Sequence, residues 1–315
     1  MPSTSEQTIF VCGASGTQGG AITTHLLRTN TKIHAIARDP SSERNQSLAT
    51  AGATLFPGSF DDQVSLRNAM KGCTALFLNL SPSFTDGNQE LAQAKRIISI
   101  AKEADINQII YSSGLIQNAE NSQYWDPTSF VANVVLSKKA IEDVVRNAGF
   151  KHYTILRPGN FMTNYLAPYI YPMYPGLAEK GEYNTAFTRD TIIPMVDPYD
   201  IGAFGAAAFS DPGKFHGKEI ALASQLMTLD EVLASLSAFA GRKLKASYMS
   251  EEEIDAQKGN NPFLGGQLMM RDMADGVDMD EVRSWGIPLT GFARFLKREE
   301  ERVMKTFSTY IAKTA

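Results

Sequence analysis

The sequence predicts an α/β fold: a doubly wound parallel sheet accompanied by a smaller, discontinuous α/β lobe. Three observations carry that expectation. Short β-branched or apolar runs alternate with helical patterns without interruption from Thr8 to Ser112, as in a parallel sheet with crossover helices. A glycine-rich turn, Gly13-Ala14-Ser15-Gly16-Thr17-Gln18-Gly19, joins the first strand to the first helix. Beyond Pro158 the pattern turns irregular, with tyrosines and prolines interleaved, before strands and helices resume. A chain of 315 residues is long enough for both pieces. The expected division is residues 1–158, completed by about 190–225, against residues 159–189 and 226–315.

Thr8-Ile9-Phe10-Val11-Cys12 reads as a buried strand and Gly20 to Arg28 as a helix. In that setting the first glycine permits a tight turn, the second lets backbone approach a pyrophosphate, and the third lets helix pack on strand. The helix N-terminus offers N–H groups and a positive dipole end to phosphates. The turn therefore predicts a Rossmann-type dinucleotide site, with Gly13, Ser15, Gly16, Thr17, Gln18 and Gly19 as cofactor-binding residues. Strand two, Lys32 to Ala37, ends in Arg38. An NAD enzyme places Asp or Glu about twenty residues past the loop, on the ribose 2′-hydroxyl. A guanidinium there instead clamps a 2′-phosphate and stacks on adenine. NADPH/NADP is thus the expected cofactor, against the reading of Arg38 as a surface residue at a strand end.

A polar helix from about Glu43 to Ala51 leads to strand three, Thr54-Leu55-Phe56. Ser59 and Phe60 follow it, cofactor-binding candidates by position, and Asp61 and Asp62 read as the start of the next helix. Strand four, Thr74 to Leu80, is nearly all apolar, as a central parallel strand should be. Leu80 and Ser81 then fall at the carboxyl edge of the sheet, where such sheets bind ligands. An amphipathic helix, Asn88 to Asp105, precedes strand five, Gln108 to Ser112, which brings Ser113 to the same edge as a candidate substrate contact. Pro127 to Ala148 reads as a helix carrying Ser137-Lys138-Lys139-Ala140-Ile141-Glu142. Strand six, Tyr153 to Leu156, runs into Arg157-Pro158-Gly159-Asn160-Phe161.

Tyr165, Tyr169, Tyr171 and Tyr174 then alternate with Pro168, Pro172 and Pro175. Two readings stand side by side: an apolar pocket for a ring-bearing substrate, with Tyr165 and Tyr169 on its wall, or simple packing between lobes. Ile192 to Val196 reads as strand, Asp200 as the N-cap of a helix from Ile201 to Phe209, and Glu219 to Ala223 as strand. Thr228-Leu229-Asp230-Glu231 is a capping box for a helix stopping at Gly241. Lys243 to Met249 alternates as a strand, and Ser250 to Glu253 is a second capping box. Met269, Met270 and Met273 form a flexible apolar stripe. Phe292, Phe295, Leu296, Val303, Met304, Phe307 and Ile311 recur at helical spacing and predict one amphipathic terminal helix.

A net charge of -4 with dispersed basic residues gives no general pull toward nucleic acid or anionic membranes. The two cysteines, Cys12 and Cys73, fall at strand positions and read as core residues rather than a disulfide framework. The four histidines are scattered, so no metal site is expected. The polar start runs directly into strand one, and no apolar stretch reaches membrane-spanning length. A cytoplasmic location follows as the expectation.

The G-x-x-G-x-x-G spacing with Thr17-Gln18-Gly19-Gly20, then Arg38, the Lys138 helix and the Arg-Pro-Gly-Asn-Phe stretch occur in order over nearly the whole chain. That combination resembles the NmrA-like branch of the atypical short-chain dehydrogenase/reductases, which is similar to isoflavone reductases. The resemblance implies NADP(H) in a cleft beside a substrate lobe, with Pro158, Asn160 and Phe161 near the nicotinamide. Ser59 departs from the acidic residue usual in the family near the adenine. The Tyr-x-x-x-Lys pair of ordinary short-chain reductases is absent, because no tyrosine in the chain has a lysine four residues on. The family keeps only the lysine, and Ile141 and Glu142 select Lys138 as its match. Lys138 then holds the nicotinamide ribose or acts as acid or cation near the substrate; the alternative is a solvent-facing helix lysine.

The leading expectation is an NADPH-dependent reductase acting on a small conjugated or cyclic electrophile, an enone, quinone, quinone methide or iminium. Such acceptors, aromatic or polycyclic, take hydride without a dedicated tyrosine acid. The competing expectation is a non-enzymatic NADP(H)-sensing regulator that binds a protein partner through the same fold. A sugar epimerase fits poorly for want of the tyrosine, and a methyltransferase has no need of three phosphate-cradling glycines.

Overall fold

The computed structural model of the chain describes residues 7–83, 87–117, 119–257 and 262–308. In order come β1 (Thr8–Val11), α1 (Thr17–Leu27), β2 (Lys32–Ala37), α2 (Glu43–Thr50), β3 (Ala53–Pro57) and α3 (Gln63–Met70). β4 (Ala75–Leu78), α4 (Gln89–Glu103), β5 (Gln108–Ser112), α5 (Phe130–Asn147) and β6 (His152–Pro158) continue the alternation. The chain goes on through β7 (Asn160–Phe161), α6 (Ile170–Met173), α7 (Leu177–Lys180), β8 (Glu182–Thr185), β9 (Ile192–Val196), α8 (Pro198–Ser210) and α9 (Pro212–Phe215). Then follow β10 (Lys218–Leu222), β11 (Gln225–Thr228), α10 (Leu229–Ala240), β12 (Lys245–Tyr248), α11 (Glu251–Gln257) and α12 (Pro262–Met270). The last helices are α13 (Met279–Ser284), α14 (Phe292–Arg298) and α15 (Glu300–Ser308). The chain forms two compact units, residues 1–114, 134–157 and 198–220, and residues 115–133, 158–197 and 221–315. Among the described residues no helix is long and apolar enough to cross a membrane.

The first unit is built on a seven-stranded sheet in the order β10-β6-β5-β4-β1-β2-β3. β1 pairs in parallel with β2 on one side and β4 on the other. Strand order therefore reverses at β1, the switch point at whose carboxyl edge open α/β sheets bind ligands. Every residue of β4 and β5 is buried, as parallel strands covered on both faces must be. Phe10, Leu76, Leu78, Ile109 and Tyr111 share one core with Ala94, Ile97 and Ile141 of α4 and α5. Asp62 caps α3, accepting from the N–H groups of Val64 and Ser65 at 2.9 and 3.2 Å. Cys12 and Cys73 are buried free thiols, and burial pushes the Cys12 thiol up to about 12, so neither is a ready nucleophile.

α1 packs closely on α8 in this unit. A Cβ on Gly202 would stand 2.7 Å from the carbonyl carbon of Ala21 and 2.9 Å from the nitrogen of Ile22. Those atoms are helix backbone and cannot step aside. Gly205 faces the mobile Cδ1 of Ile22 at 2.5 Å instead. Gly202→Ala should therefore lower the melting temperature more than Gly205→Ala, since overpacking against fixed backbone costs about 1–3 kcal/mol. Thermal unfolding of the two variants checks the order. α8 begins earlier than the sequence implied. Pro198 opens it, and Asp200 lies buried in its first turn rather than capping it, because proline at the first helical position is preset for helix and has no N–H to satisfy.

The second unit holds a three-stranded sheet in the order β11-β9-β7 and a parallel pair, β8 with β12. Both expected capping boxes are present. Thr228 and Glu231 bond reciprocally at α10, and Ser250 exchanges bonds of 2.8 and 3.3 Å with Glu253 at α11. α10 ends on Gly241 in the left-handed conformation, as a terminating glycine should. Its core gathers Tyr165, Tyr174, Tyr183, Leu233, Leu236, Phe292 and Phe295, with Met270 packed against it. The predicted terminal helix is instead two, parted at Glu299, whose φ of -96° and ψ of 19° leave helical geometry. Its carboxylate is drawn to Arg298 and Arg302 at 3.2 and 2.8 Å. Phe292, Phe295, Leu296, Val303 and Phe307 are buried as the spacing required, Met304 is exposed, and Ile311 lies outside the described residues.

Candidate functional site

The glycine turn lies at the switch point. Gly13 has a φ of +64°, a region side chains resist. Its carbonyl accepts from the Gly16 N–H at 2.7 Å, closing the turn. Gly16 is the N-cap of α1 and supplies no side-chain cap. A Cβ on Gly19 would sit 2.1 Å from the Gly13 oxygen and 2.7 Å from that of Cys12. The third glycine thus lets α1 approach the end of β1, as its position predicted. Gln18 bridges strand ends: its Nε2 donates to Asn79 Oδ1 at 3.1 Å, and Ser112 Oγ donates to its Oε1 at 2.5 Å. Leu80 is buried beside Asn79, and Ser81 is exposed.

Arg38 stands exposed at the end of β2 and, among the described residues, makes no hydrogen bond or ion pair. One oxygen of the neighbouring carboxylate is engaged: Asp39 Oδ1 accepts from the Ser41 N–H at 2.9 Å and the Ser41 hydroxyl at 2.6 Å. These Ser41 bonds hold its pKa below the ordinary value. Buried Asn45 donates to the Asp39 carbonyl at 2.7 Å and pins the loop from α2. Arg44 had no signal in the sequence. Its Nη2 lies 4.0 Å from where a Cβ on Gly20 would be, so a second cation reaches the first turn of α1. The Gly58 N–H donates to the Ala37 carbonyl at 3.1 Å, which brings Ser59 and Phe60 beside the end of β2. The Ser59 hydroxyl accepts from the Asp61 N–H at 3.3 Å, and Phe60 packs half-buried on the core.

Lys138 is not a solvent-facing lysine. Its Nζ meets Glu90 Oε1 at 2.9 Å, with the lysine side chain 12% and the glutamate 2% exposed. Ser137 Oγ donates to the other carboxylate oxygen at 3.2 Å. Ile141 is buried in the core, and Glu142 takes a bidentate grip from Arg157 at 2.9 and 2.6 Å. The lysine and the glutamate four residues on therefore serve separate ion pairs. At the end of β5 the hydroxyls of Tyr111 and Ser113 are both buried. Burial, then the charge of Glu90, pushes the Tyr111 pKa well up, so that phenol stays neutral.

Within the first unit the glycine turn, Arg38, Ser59, Phe60, Leu80, Ser81, Ser113 and Lys138 all follow carboxyl ends of parallel strands or sit on helices packed there. Pro158, Asn160, Phe161, Tyr165 and Tyr169 belong to the second unit. There Asn160 is buried and donates to the Tyr174 hydroxyl at 3.1 Å, and Phe161 is half-buried in β7. Tyr165 is corrected from pocket wall to core. It is fully buried and stacks on Tyr174 with ring centroids 4.3 Å apart. Tyr169, at 40% exposed, remains accessible. Proline-rich sequence could not say which tyrosines turn inward, because no helical or strand period runs through it.

The model of the NmrA-like family matches residues 5–273. The oxidoreductase malD of Malbranchea aurantiaca, described as containing an NmrA-like family domain, is 26% identical over 258 residues, covering 77% of this chain and 75% of the relative. Quinone oxidoreductase 2 of Escherichia coli (strain K12) is 29% identical over 251 residues, covering 79% and 80%. A crystal structure of the Escherichia coli NADPH-dependent quinone oxidoreductase QOR2 complexed with NADPH superposes with a TM-score of 0.72 at 24% identity, covering 92% of this chain and 99% of that one. Nmra, a negative transcriptional regulator solved in complex with NAD, superposes at 0.71 with 18% identity, covering 99% of both chains. These structures share the fold.

Proposed function

The chain belongs to the NmrA-like family, and from that premise we propose that it is an NADPH-dependent reductase of small conjugated or cyclic electrophiles such as enones, quinones, quinone methides or iminium ions. The observation that carries the reading is the end of β2. An exposed arginine with no partner among the described residues stands there, while Oδ1 of the adjacent Asp39 carboxylate is turned to Ser41. A 2′-phosphate fits an exposed guanidinium at that place. The oxidoreductase descriptions of malD and of quinone oxidoreductase 2 support it, as does the NADPH in the QOR2 structure.

The residues divide the work. N–H groups at the start of α1 receive the pyrophosphate, with Gln18 locked by Asn79 and Ser112 behind them. Arg38 reads the 2′-phosphate, with Arg44 as a second cation. Lys138 supplies a fixed ammonium for the ribose or for charge developing on the acceptor. NADPH, when bound, supplies the hydride. An acceptor whose charge is delocalised needs little proton transfer from the protein during that step, which suits a neutral, buried Tyr111.

The experiment is twofold: titrate the purified chain with NADPH and NADH, then follow NADPH oxidation with benzoquinone, cyclohexenone and a cyclic iminium salt. NADPH should bind the tighter of the two, and at least one acceptor should drive its oxidation. Failure to bind either nucleotide ends the reading. Tight NADPH binding with no turnover on any acceptor supports the alternative, an NADP(H) sensor. Burial of Tyr165 in a core favours that alternative by removing one of the two expected walls of a substrate pocket.

A further inference from the structure

We infer that Glu90 is a positioning residue for Lys138, fixing the ammonium that the cofactor and acceptor meet. The inference rests on reading this crevice as an NADPH site. Glu90 lies in the first turn of the 15-residue α4, where a helix N-terminus favours a carboxylate. It is 2% exposed, and both its oxygens are engaged, one by Lys138 at 2.9 Å and one by Ser137 at 3.2 Å. The carboxylate therefore has one orientation, set from two sides. Lys138 carries three N–H donors, and among the described residues only Glu90 takes one. The lysine keeps 12% exposure, so the remaining donors are not sealed in.

Stability alone is a poor account of such a pair. Burying two charges is expensive, and apolar residues of similar volume commonly serve as well or better. What apolar residues cannot do is hold an ammonium still beside the carboxyl ends of β4 and β5. A free lysine has several rotatable bonds, and fixing it in advance removes that entropy from the binding step. The reaction lacks the tyrosine that usually shares this lysine's work, so its placement matters more. The glutamate comes from α4 and the lysine from α5, and their packing against one core sets the distance between them.

The test uses Glu90→Gln, Glu90→Asp, Lys138→Met and the Glu90→Gln/Lys138→Met double variant. NADPH dissociation constants and the kcat and KM for benzoquinone are measured below the melting point of every variant. Glu90→Gln should lower kcat or weaken NADPH about tenfold or more, as a displaced active-site group does, with the KM for benzoquinone little changed. Glu90→Asp, which keeps the charge, should recover part of the loss. The double variant should be no worse than Lys138→Met alone, because the two residues act as a unit. Melting temperatures that fall while binding, kcat and KM stay at wild-type values would show a mere staple between helices and overturn the inference. Equal losses from Glu90→Gln with and without Lys138 would also overturn it. A wild-type chain that binds no NADPH would fail the cofactor reading itself and take this inference down with it, a result distinct from either of the others.

Discussion

Gly19→Ala is expected to abolish NADPH binding at any accessible concentration and to lower the melting temperature by several degrees. The added methyl would lie 2.1 Å from the Gly13 oxygen, 2.4 Å from the Gly13 carbonyl carbon and 2.7 Å from the Cys12 oxygen. All three atoms are backbone of the turn or of the end of β1. Relief therefore requires α1 to lift away from the sheet or the turn to open. Overpacking of this kind costs about 1–3 kcal/mol, and either movement disperses the N–H groups proposed to receive the phosphates. Gly20→Ala is the control. Its methyl meets only the Ala14 oxygen at 3.3 Å and the tip of Arg44 at 4.0 Å, so it should stay close to wild type in stability. Thermal unfolding and nucleotide titration of both variants make the comparison. A Gly19→Ala protein with wild-type NADPH affinity would mean that the turn is structural only.

Arg38→Asp should weaken NADPH by roughly a hundredfold while leaving NADH unchanged or improved. Removing charge-assisted bonds to a phosphate costs about 1.5–3 kcal/mol, and the new carboxylate repels the 2′-phosphate besides. The same carboxylate can accept from the ribose hydroxyls of NADH, the role an acidic residue plays at this place in NAD enzymes. In the native chain Asp39 turns one oxygen, Oδ1, to the Ser41 N–H and hydroxyl. Arg44→Ala should act in the same direction but more weakly, since that guanidinium flanks the first turn of α1 rather than the end of β2. Dissociation constants for both nucleotides decide the matter. Equal changes for NADPH and NADH in Arg38→Asp would mean that Arg38 does not read the phosphate.

Where structure and sequence agree, the signal was local. Thr228 and Glu231 are three residues apart and cap α10 as their spacing said. Asp62 caps α3 through N–H groups two and three residues on. Where they part, the deciding contact was distant. Asp200 is the exception: Pro198, two residues before it, opens the helix, and the aspartate lies buried in the first turn. Tyr165 and Tyr169 are alike on paper, and only the core of the second unit tells them apart.

The amino-acid sequence alone determined the parallel alternation, the glycine turn and the arginine after strand two. Each depends on backbone conformation or periodicity over a few neighbouring residues, and a glycine at +64° or an apolar run does not need the rest of the chain to be recognised. Only the tertiary structure decided what Lys138 meets. Its carboxylate partner lies 48 positions earlier on another helix, and no pattern in one segment encodes which distant side chain packing will bring to within 2.9 Å. The same holds for Arg44 over the turn and for Gly202 against α1: contacts between elements arise when buried surfaces fit together, and that fit is a property of the folded whole.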